Sequence, residues 1–149
     1  MEARTERLVI REYAKEDKQN LYKLFTEDFV STYEAHLQMK SIFDVEKYLE
    51  KSINGVGGRV MELEYYLLEE HFNKGYMSEA LKEVISLAFG TIGVVKIFAQ
   101  CHKENVRSEN AMIKCGMLKS EKQPNPKMYN GVFKENVRYE LTADTYNGV

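Results

Sequence analysis

Val60-Met61-Glu62-Leu63-Glu64-Tyr65-Tyr66-Leu67-Leu68-Glu69-Glu70-His71-Phe72-Asn73-Lys74-Gly75-Tyr76-Met77-Ser78-Glu79-Ala80-Leu81 reads as a strand, a loop with one glycine and the start of a helix. From Val60 to Leu68 the residues alternate. Met61, Leu63, Tyr65 and Leu67 fall on one face and Glu62, Glu64, Tyr66 and Leu68 on the other, the period of a half-buried strand. From Ser78 the period changes, and Leu81, Val84, Ile85 and Ala88 follow helical spacing. A helix that starts straight after such a loop has N–H groups with no carbonyl ahead of them, where the macrodipole also favours negative charge. The turn is therefore expected to seat an anion, most often a phosphate or pyrophosphate. An ordinary strand-to-helix connection closed by a glycine is the plainer alternative for this stretch taken alone.

The chain has 149 residues, enough for one domain over 1–149 with a sizeable core. Hydrophobic residues make up 44% and charged residues 30%, a globular composition rather than a disordered one. The formal net charge of −2 and the lack of a basic run imply no nucleic-acid partner. No apolar stretch approaches the ~18 residues of a membrane span, and no signal-peptide core follows Met1. A cytoplasmic location is expected, with no membrane partner. Cys101 and Cys115 are then expected as free thiols, since their separation fits neither a redox pair nor a zinc site. His36, His71 and His102 lack metal-ligand spacing, so no metal is expected.

Outward from the central stretch, Glu6 to Arg11 alternates as a first strand with Leu8 and Ile10 on one face. Lys15 to His36 carries Leu21, Leu24, Phe25, Phe29 and Tyr33 at helical spacing, as one helix or as two with a break near Thr26 to Ser31. Ser41 with Asp44 three residues on predicts a cap, and Ile42, Val45, Leu49 and Ile53 form the stripe of the helix behind it. Asn54-Gly55-Val56-Gly57-Gly58 is the clearest break. Gly90 and Gly93 mark a stop, and Val94 to Gln100 reads as a buried strand, parallel to the one at Val60 through a right-handed crossover. Gly116 is the expected left-handed stop of a short helix after Asn105. Asn130-Gly131 predicts a hairpin turn, and Val137, Tyr139 and Leu141 alternate in a closing strand.

Phe72 to Leu81 resembles the acetyl-CoA pyrophosphate loop of the GNAT family of N-acetyltransferases, in particular the branch that acetylates ribosomal-protein N termini. That loop commonly reads aromatic-Gly-Lys-Gly-Tyr-small-Thr/Ser-Glu-Ala. Lys74, Gly75, Tyr76, Ser78, Glu79 and Ala80 match, while Asn73 and Met77 stand where small residues are usual. Asn105 to Met117 resembles a second family signature, matching at Asn105, Ser108, Lys114 and Gly116, and Thr5 to Arg11 resembles the family's first strand. The resemblance implies an α/β (α+β) fold, a GNAT-like mixed sheet flanked by helices. It also implies acetyl-CoA as cosubstrate and an amine acceptor such as a peptide N terminus, a polyamine or another small amine. Phe72, Asn73, Lys74, Gly75, Tyr76, Met77 and Ser78 would then hold the pyrophosphate. The backbone around Leu67 would pair with the pantetheine arm, and Asn105 would orient it. In relatives the loop after the first helix walls the acceptor pocket, which draws attention to Phe29, Tyr33 and His36.

The attacking amine must be neutral, so a carboxylate or a water relayed by one is the expected base. Glu62 corresponds to the family's glutamate in this strand and is the expected base, with Glu64 next on the same face. Two carboxylates solvating a strand face is the equally plain reading. The tyrosine that often protonates the departing thiolate is replaced by Met112, which leaves Ser108, or water, as the acid. A thiolate with an ordinary pKa near 8.5 leaves readily enough for a weak acid to serve. The chain departs from the family between Ile53 and Val60, where relatives carry a hairpin of two strands. Its loss leaves the usual second and third strands missing and the strand at Val60 with an open edge. The first strand closes on that edge, another chain covers it as a homodimer, or the sequence lacks residues of the native protein. Three functions follow: an acetyl-CoA-dependent N-acetyltransferase, a degenerate CoA-binding relative without catalysis, and an interaction protein using a sheet edge.

Overall fold

The structure is a computed structural model that describes residues 2–28, 41, 44–46, 59–129 and 131–148. Two compact units are present: Met1–Val56 with Tyr66–Lys74, and Gly57–Tyr65 with Gly75–Val149.

In the first unit β1 (Glu2–Arg4) and β2 (Val9–Arg11) pair antiparallel, with Ala3 opposite Ile10. Leu8 and Ile10 are half-buried and Val9 and Arg11 exposed, as the alternation predicts. Both terminal nitrogens of Arg11 donate to the Asp17 carboxylate at 2.7 Å, and the Ala14 N–H adds a bond of 2.8 Å. The Arg11 bonds, then the Ala14 N–H, hold the Asp17 carboxyl down to about 2. The clamp's contribution to stability is therefore present above the ordinary carboxyl range and is lost as pH falls through about 2.

Helix α1 (Lys18–Thr26) buries Leu21 and Phe25 against Val45. Tyr66 meets Phe25 edge-on, with ring centroids 5.5 Å apart. The helix stops at the expected break, because Glu27 turns extended at φ −68° and ψ 141°. The Thr26 hydroxyl also donates back to Tyr22 O at 2.8 Å. Ser41 and Asp44 form the expected cap. The Ser41 N–H donates to Asp44 Oδ2 at 3.0 Å, and the Asp44 N–H to Ser41 Oγ at 3.4 Å. Phe29, Tyr33, His36, Ile42, Leu49 and Ile53 lie outside the described residues.

In the second unit β3 (Val60–Glu62) runs parallel to β4 (Lys96–His102). β4 pairs antiparallel with β8 (Asn136–Thr142) from Lys96↔Thr142 to His102↔Asn136, and β5 (Leu118–Lys119) lies on the far side of β8. β6 (Lys127–Tyr129) and β7 (Val132–Lys134) make the expected hairpin, with Gly131 left-handed at φ 80° in its turn. Helix α2 (Tyr76–Leu87) buries Leu81 and Ile85 and runs into a wider turn over Ala88–Ile92. Gly90 lies inside that turn, so the stop belongs to Gly93 alone, at φ 78°. Helix α3 (Val106–Lys114) buries Ala111 and Met112, and Gly116, at φ 76°, is its left-handed stop.

The core joins Leu81, Ile85 and Ala88 to Ile97, Ala99, Met112, Val137 and Leu141, with Met61, Leu63 and Tyr65 packed at its margin. Ile97 has no exposed surface. Ile97→Ala should cost about 2–5 kcal/mol, because it removes buried methyl groups and leaves a cavity. A fall of that size in unfolding free energy, measured by urea titration, is the expected result; under about 1 kcal/mol would mean this part of the core can collapse.

Two sequence expectations need correction. The strand at Val60 does not run to Leu68, because its ladder to β4 ends where the Leu63 N–H donates to Phe98 O at 2.8 Å. A short 3-10 turn at Glu69–His71 then leads to the loop. β2 is paired with β1, and β3 is the end strand of its sheet, so among the described residues the first strand does not close on the Val60 edge. Among these residues no helix is long and apolar enough to cross a membrane.

Candidate functional site

The ladder from β3 stops at Leu63, while β4 continues to His102 in full register with β8. The two parallel strands therefore part beyond Phe98. An extended polar ligand placed there can pair with strand backbone as an added strand would.

The anion-seat loop crosses from one unit to the other between Lys74 and Gly75, and each half has its own geometry. In the first unit, Leu67 and Phe72 are half-buried, and Asn73 and Lys74 are exposed. Arg7 Nη1 donates to Lys74 O at 3.0 Å. Asn73 has φ 60°, the left-handed region. Asparagine enters that region more readily than other side chains do, which accounts for its standing where a small residue is usual. In the second unit, Gly75 has φ 80° and ψ −2° and precedes the first turn of α2. The first intrahelical bond runs from the Glu79 N–H to Gly75 O at 3.1 Å. The N–H groups of Tyr76, Met77 and Ser78 thus lie ahead of any helical acceptor, at the positive end of a twelve-residue helix.

Glu62 is exposed on β3, opposite Phe98 in the register. Gln100 Nε2 donates to Glu62 Oε1 at 2.7 Å. The cations on this face of the sheet are engaged elsewhere. Lys96 pairs with Glu140 at 2.8 Å, and the Arg138 guanidinium lies 3.8 Å from the centre of the Phe98 ring. Among the described residues no cation pairs with Glu62, whose carboxylate is held by Gln100. Glu64 is exposed and lies two residues beyond the end of β3.

Ser108 lies in the first turn of α3. Asn105 caps the helix, its Oδ1 accepting the Ser108 N–H at 3.2 Å. The Ser108 hydroxyl is 2.7 Å from the Tyr65 hydroxyl, which also reaches Ser108 O at 3.0 Å. Met112 fills the core with no exposed surface, so no polar group stands at that position. The strand alternation places Glu62 on the face opposite Met61, Leu63 and Tyr65, and hence opposite Ser108. Sequence reasoning missed Gln100 and Tyr65. Gln100 is a polar residue inside an apolar strand run, a signal that was available. Tyr65 read as core because its alternation matches Met61 and Leu63. Among the described residues no group of three or more His, Cys, Asp or Glu side chains is placed to hold a metal ion.

The fold and these signatures define an acetyltransferase. The chain belongs to the GNAT family: the model for the acetyltransferase (GNAT) domain matches residues 41–118, just over half of the chain. By class it is an N-acetyltransferase. An uncharacterised N-acetyltransferase of Bacillus subtilis, YoaA, is 24% identical over 77% of this chain and 81% of its own length. A GNAT-family acetyltransferase from Bacillus anthracis matches with a TM-score of 0.84 at 20% identity, over 97% of this chain and 99% of that one. Spermidine N-acetyltransferase from Vibrio cholerae, solved with CoA and spermine, matches with a TM-score of 0.79 at 16% identity, over 91% of this chain and 95% of that one.

Proposed function

We propose that the chain is one acetyltransferase domain that uses acetyl-CoA to acetylate a primary amine, with a peptide or protein N terminus and a small amine such as a polyamine as the acceptor classes. The observation that carries this reading is the parting of β3 and β4 after Leu63, in a chain whose next helix opens with left-handed Gly75. The donor chemistry fits the cosubstrate, because a helix N terminus suits a pyrophosphate and parted strands suit the amides of a pantetheine arm. Acetyl-CoA supplies an acetyl group activated as a thioester.

In this reading Asn73 to Ser78 bind the pyrophosphate through backbone N–H groups, with Lys74 adding positive charge and Phe72 completing the loop. Leu67 and its neighbours offer backbone partners to the pantetheine, and Asn105 holds the turn that orients it. Glu62 takes the proton of the incoming amine, directly or through water, while Gln100 fixes its carboxylate. The Ser108 hydroxyl donates a hydrogen bond to the sulfur from the other face of the strand, so that the base and this hydrogen-bond donor approach from opposite sides, and the released thiolate takes its proton from water. Support for an amine acceptor comes from the V. cholerae neighbour, which was solved with spermine.

Calorimetry with acetyl-CoA and a thiol-release assay over peptides and polyamines test the reading. Micromolar binding with turnover on at least one amine is expected. Binding without turnover on any of them would favour a CoA-binding relative, and no binding would favour an interaction protein.

The proposal includes a homodimer through β3, the end strand among the described residues. That edge is shorter than its sequence suggests, and short edge strands are one way in which sheets avoid pairing. Sedimentation equilibrium at micromolar concentration should give the mass of two chains. A single-chain mass throughout would show that the short edge protects itself.

A further inference from the structure

We propose that Tyr65 is a positioning residue for acetyl transfer, its phenol holding the Ser108 hydroxyl so that the Ser108 proton is presented to the departing thiolate. The inference rests on the reading above that Ser108 faces the thioester sulfur. Its own basis is the pair of oxygens 2.7 Å apart, with Ser108 O a further 3.0 Å acceptor for the phenol.

The two hydroxyls carry one proton each, and the proton bookkeeping decides what they can do. If the phenol donates to Ser108 O, the serine proton is taken up by the phenol oxygen. If the phenol donates to Ser108 Oγ, the serine proton is released outward. A negative charge developing on a nearby sulfur favours the second arrangement, because it adds a charge-assisted bond at the end of the chain. Both protons remain on their oxygens throughout, and the free thiolate takes its proton from water after it leaves.

Two further observations give Tyr65 the role of orienting donor rather than acid. The first is placement. Tyr65 shares the strand face of Met61 and Leu63 and is packed at the core margin, so its ring is fixed while its hydroxyl reaches the first turn of α3. The Ser108 backbone is fixed in turn by the Asn105 cap. The second is ionisation. Burial pushes the Tyr65 phenol above its ordinary value although the Ser108 bond pulls the other way, so the phenol keeps its proton at any working pH. A phenol less acidic than the thiol cannot protonate the sulfur without an uphill transfer, but it is a permanent donor. Met112 is buried and adds no polar group, and the Tyr139 phenol at this turn is engaged by Glu109 Oε1 at 2.8 Å, which leaves the Tyr65 phenol as the one that meets Ser108.

Tyr65→Phe, Ser108→Ala and the double variant form the test, since Phe keeps the ring that the core needs. Tyr65→Phe should lower kcat about five- to tenfold, the scale of one hydrogen bond, with KM for acetyl-CoA within about twofold. Ser108→Ala should lose at least as much, and the double variant no more than Ser108→Ala alone, because Tyr65 acts only through Ser108. Losses that multiply in the double variant, or a Tyr65→Phe enzyme at full speed, would overturn the role.

A second readout needs no turnover. A site that stabilises thiolate lowers the thiol pKa of bound CoA, so CoA should gain affinity relative to acetyl-CoA as pH rises toward the ordinary thiol value near 8.5. Calorimetry from about pH 6.5 to 9 should show a gain of about fivefold or more in the parent chain and under about twofold in Tyr65→Phe. An equal gain in both would assign Tyr65 to packing alone. If the parent chain binds CoA but shows no gain, Ser108 does not face the sulfur, and the reading beneath this inference fails instead.

Discussion

Glu62→Gln is expected to lower turnover at neutral pH by about 10²-fold or more, the usual range for loss of a general base, while acetyl-CoA affinity stays within about twofold. Glutamine keeps the size and the hydrogen-bonding reach of the side chain but cannot hold a proton from the amine. The Gln100 amide now donates at 2.7 Å to a carboxylate, and in the variant it retains an acceptor in the carbonyl of the introduced amide. Local structure is therefore expected to persist, and the loss to lie in kcat. The pH profile separates the base from the substrate. An alkyl ammonium with a pKa near 10.4 is neutral about once in 2,500 molecules at pH 7, whereas an α-amine near 7.8 is neutral about once in seven. An acidic limb caused by the amine must move with the acceptor when a peptide replaces a polyamine. A limb caused by Glu62 must stay in place and vanish in the variant. A limb that survives in Glu62→Gln with both acceptors would pass the role to Glu64, which is exposed two residues beyond the end of β3.

How much of this was legible in the sequence follows from which interactions are local. The helices over Lys18–Thr26 and Tyr76–Leu87, the Ser41–Asp44 cap, the left-handed stops at Gly93 and Gly116 and the turn at Gly131 each depend on residues within a few positions of one another, and the sequence pattern displays them. The strand at Val60 was legible as a strand and illegible in length. Alternation of side chains records which faces are covered and continues to Leu67 whether or not the backbone is paired. The end of the ladder at Leu63 is set by where β4 and β3 diverge, which no local pattern encodes. The same limit hid Gln100 beside Glu62 and Tyr65 beside Ser108, pairs separated by 38 and 43 positions that only the strand register and the helix crossing bring together. β1 was missed for a further reason. Glu2-Ala3-Arg4 has one small apolar residue between two charges, and it is a strand because β2 offers a partner.

Gly75→Val is expected to weaken CoA binding about tenfold or more without unfolding the domain. Gly75 has φ 80° and ψ −2°, a conformation that a β-branched L residue reaches only at a cost of roughly 1–2 kcal/mol. The residue is exposed, so the added methyl groups need not disturb the core, and melting temperature should change little. The variant loop is expected to relax toward negative φ when empty, and a ligand that needs the N–H groups of Tyr76 to Ser78 converged must then restore the strained turn. That restoration opposes binding by the same roughly 1–2 kcal/mol, and about 1.4 kcal/mol corresponds to tenfold in affinity. Asn73 provides the matching control. It already occupies φ 60°, so Asn73→Gly should bind CoA as well as the parent chain, whereas Asn73→Val should resemble Gly75→Val. Calorimetry on the three folded variants decides the matter. Unchanged CoA affinity in Gly75→Val would place the pyrophosphate away from this turn, and a loss in Asn73→Gly as large as in Gly75→Val would mean that the asparagine side chain, rather than the backbone conformation, makes the contact.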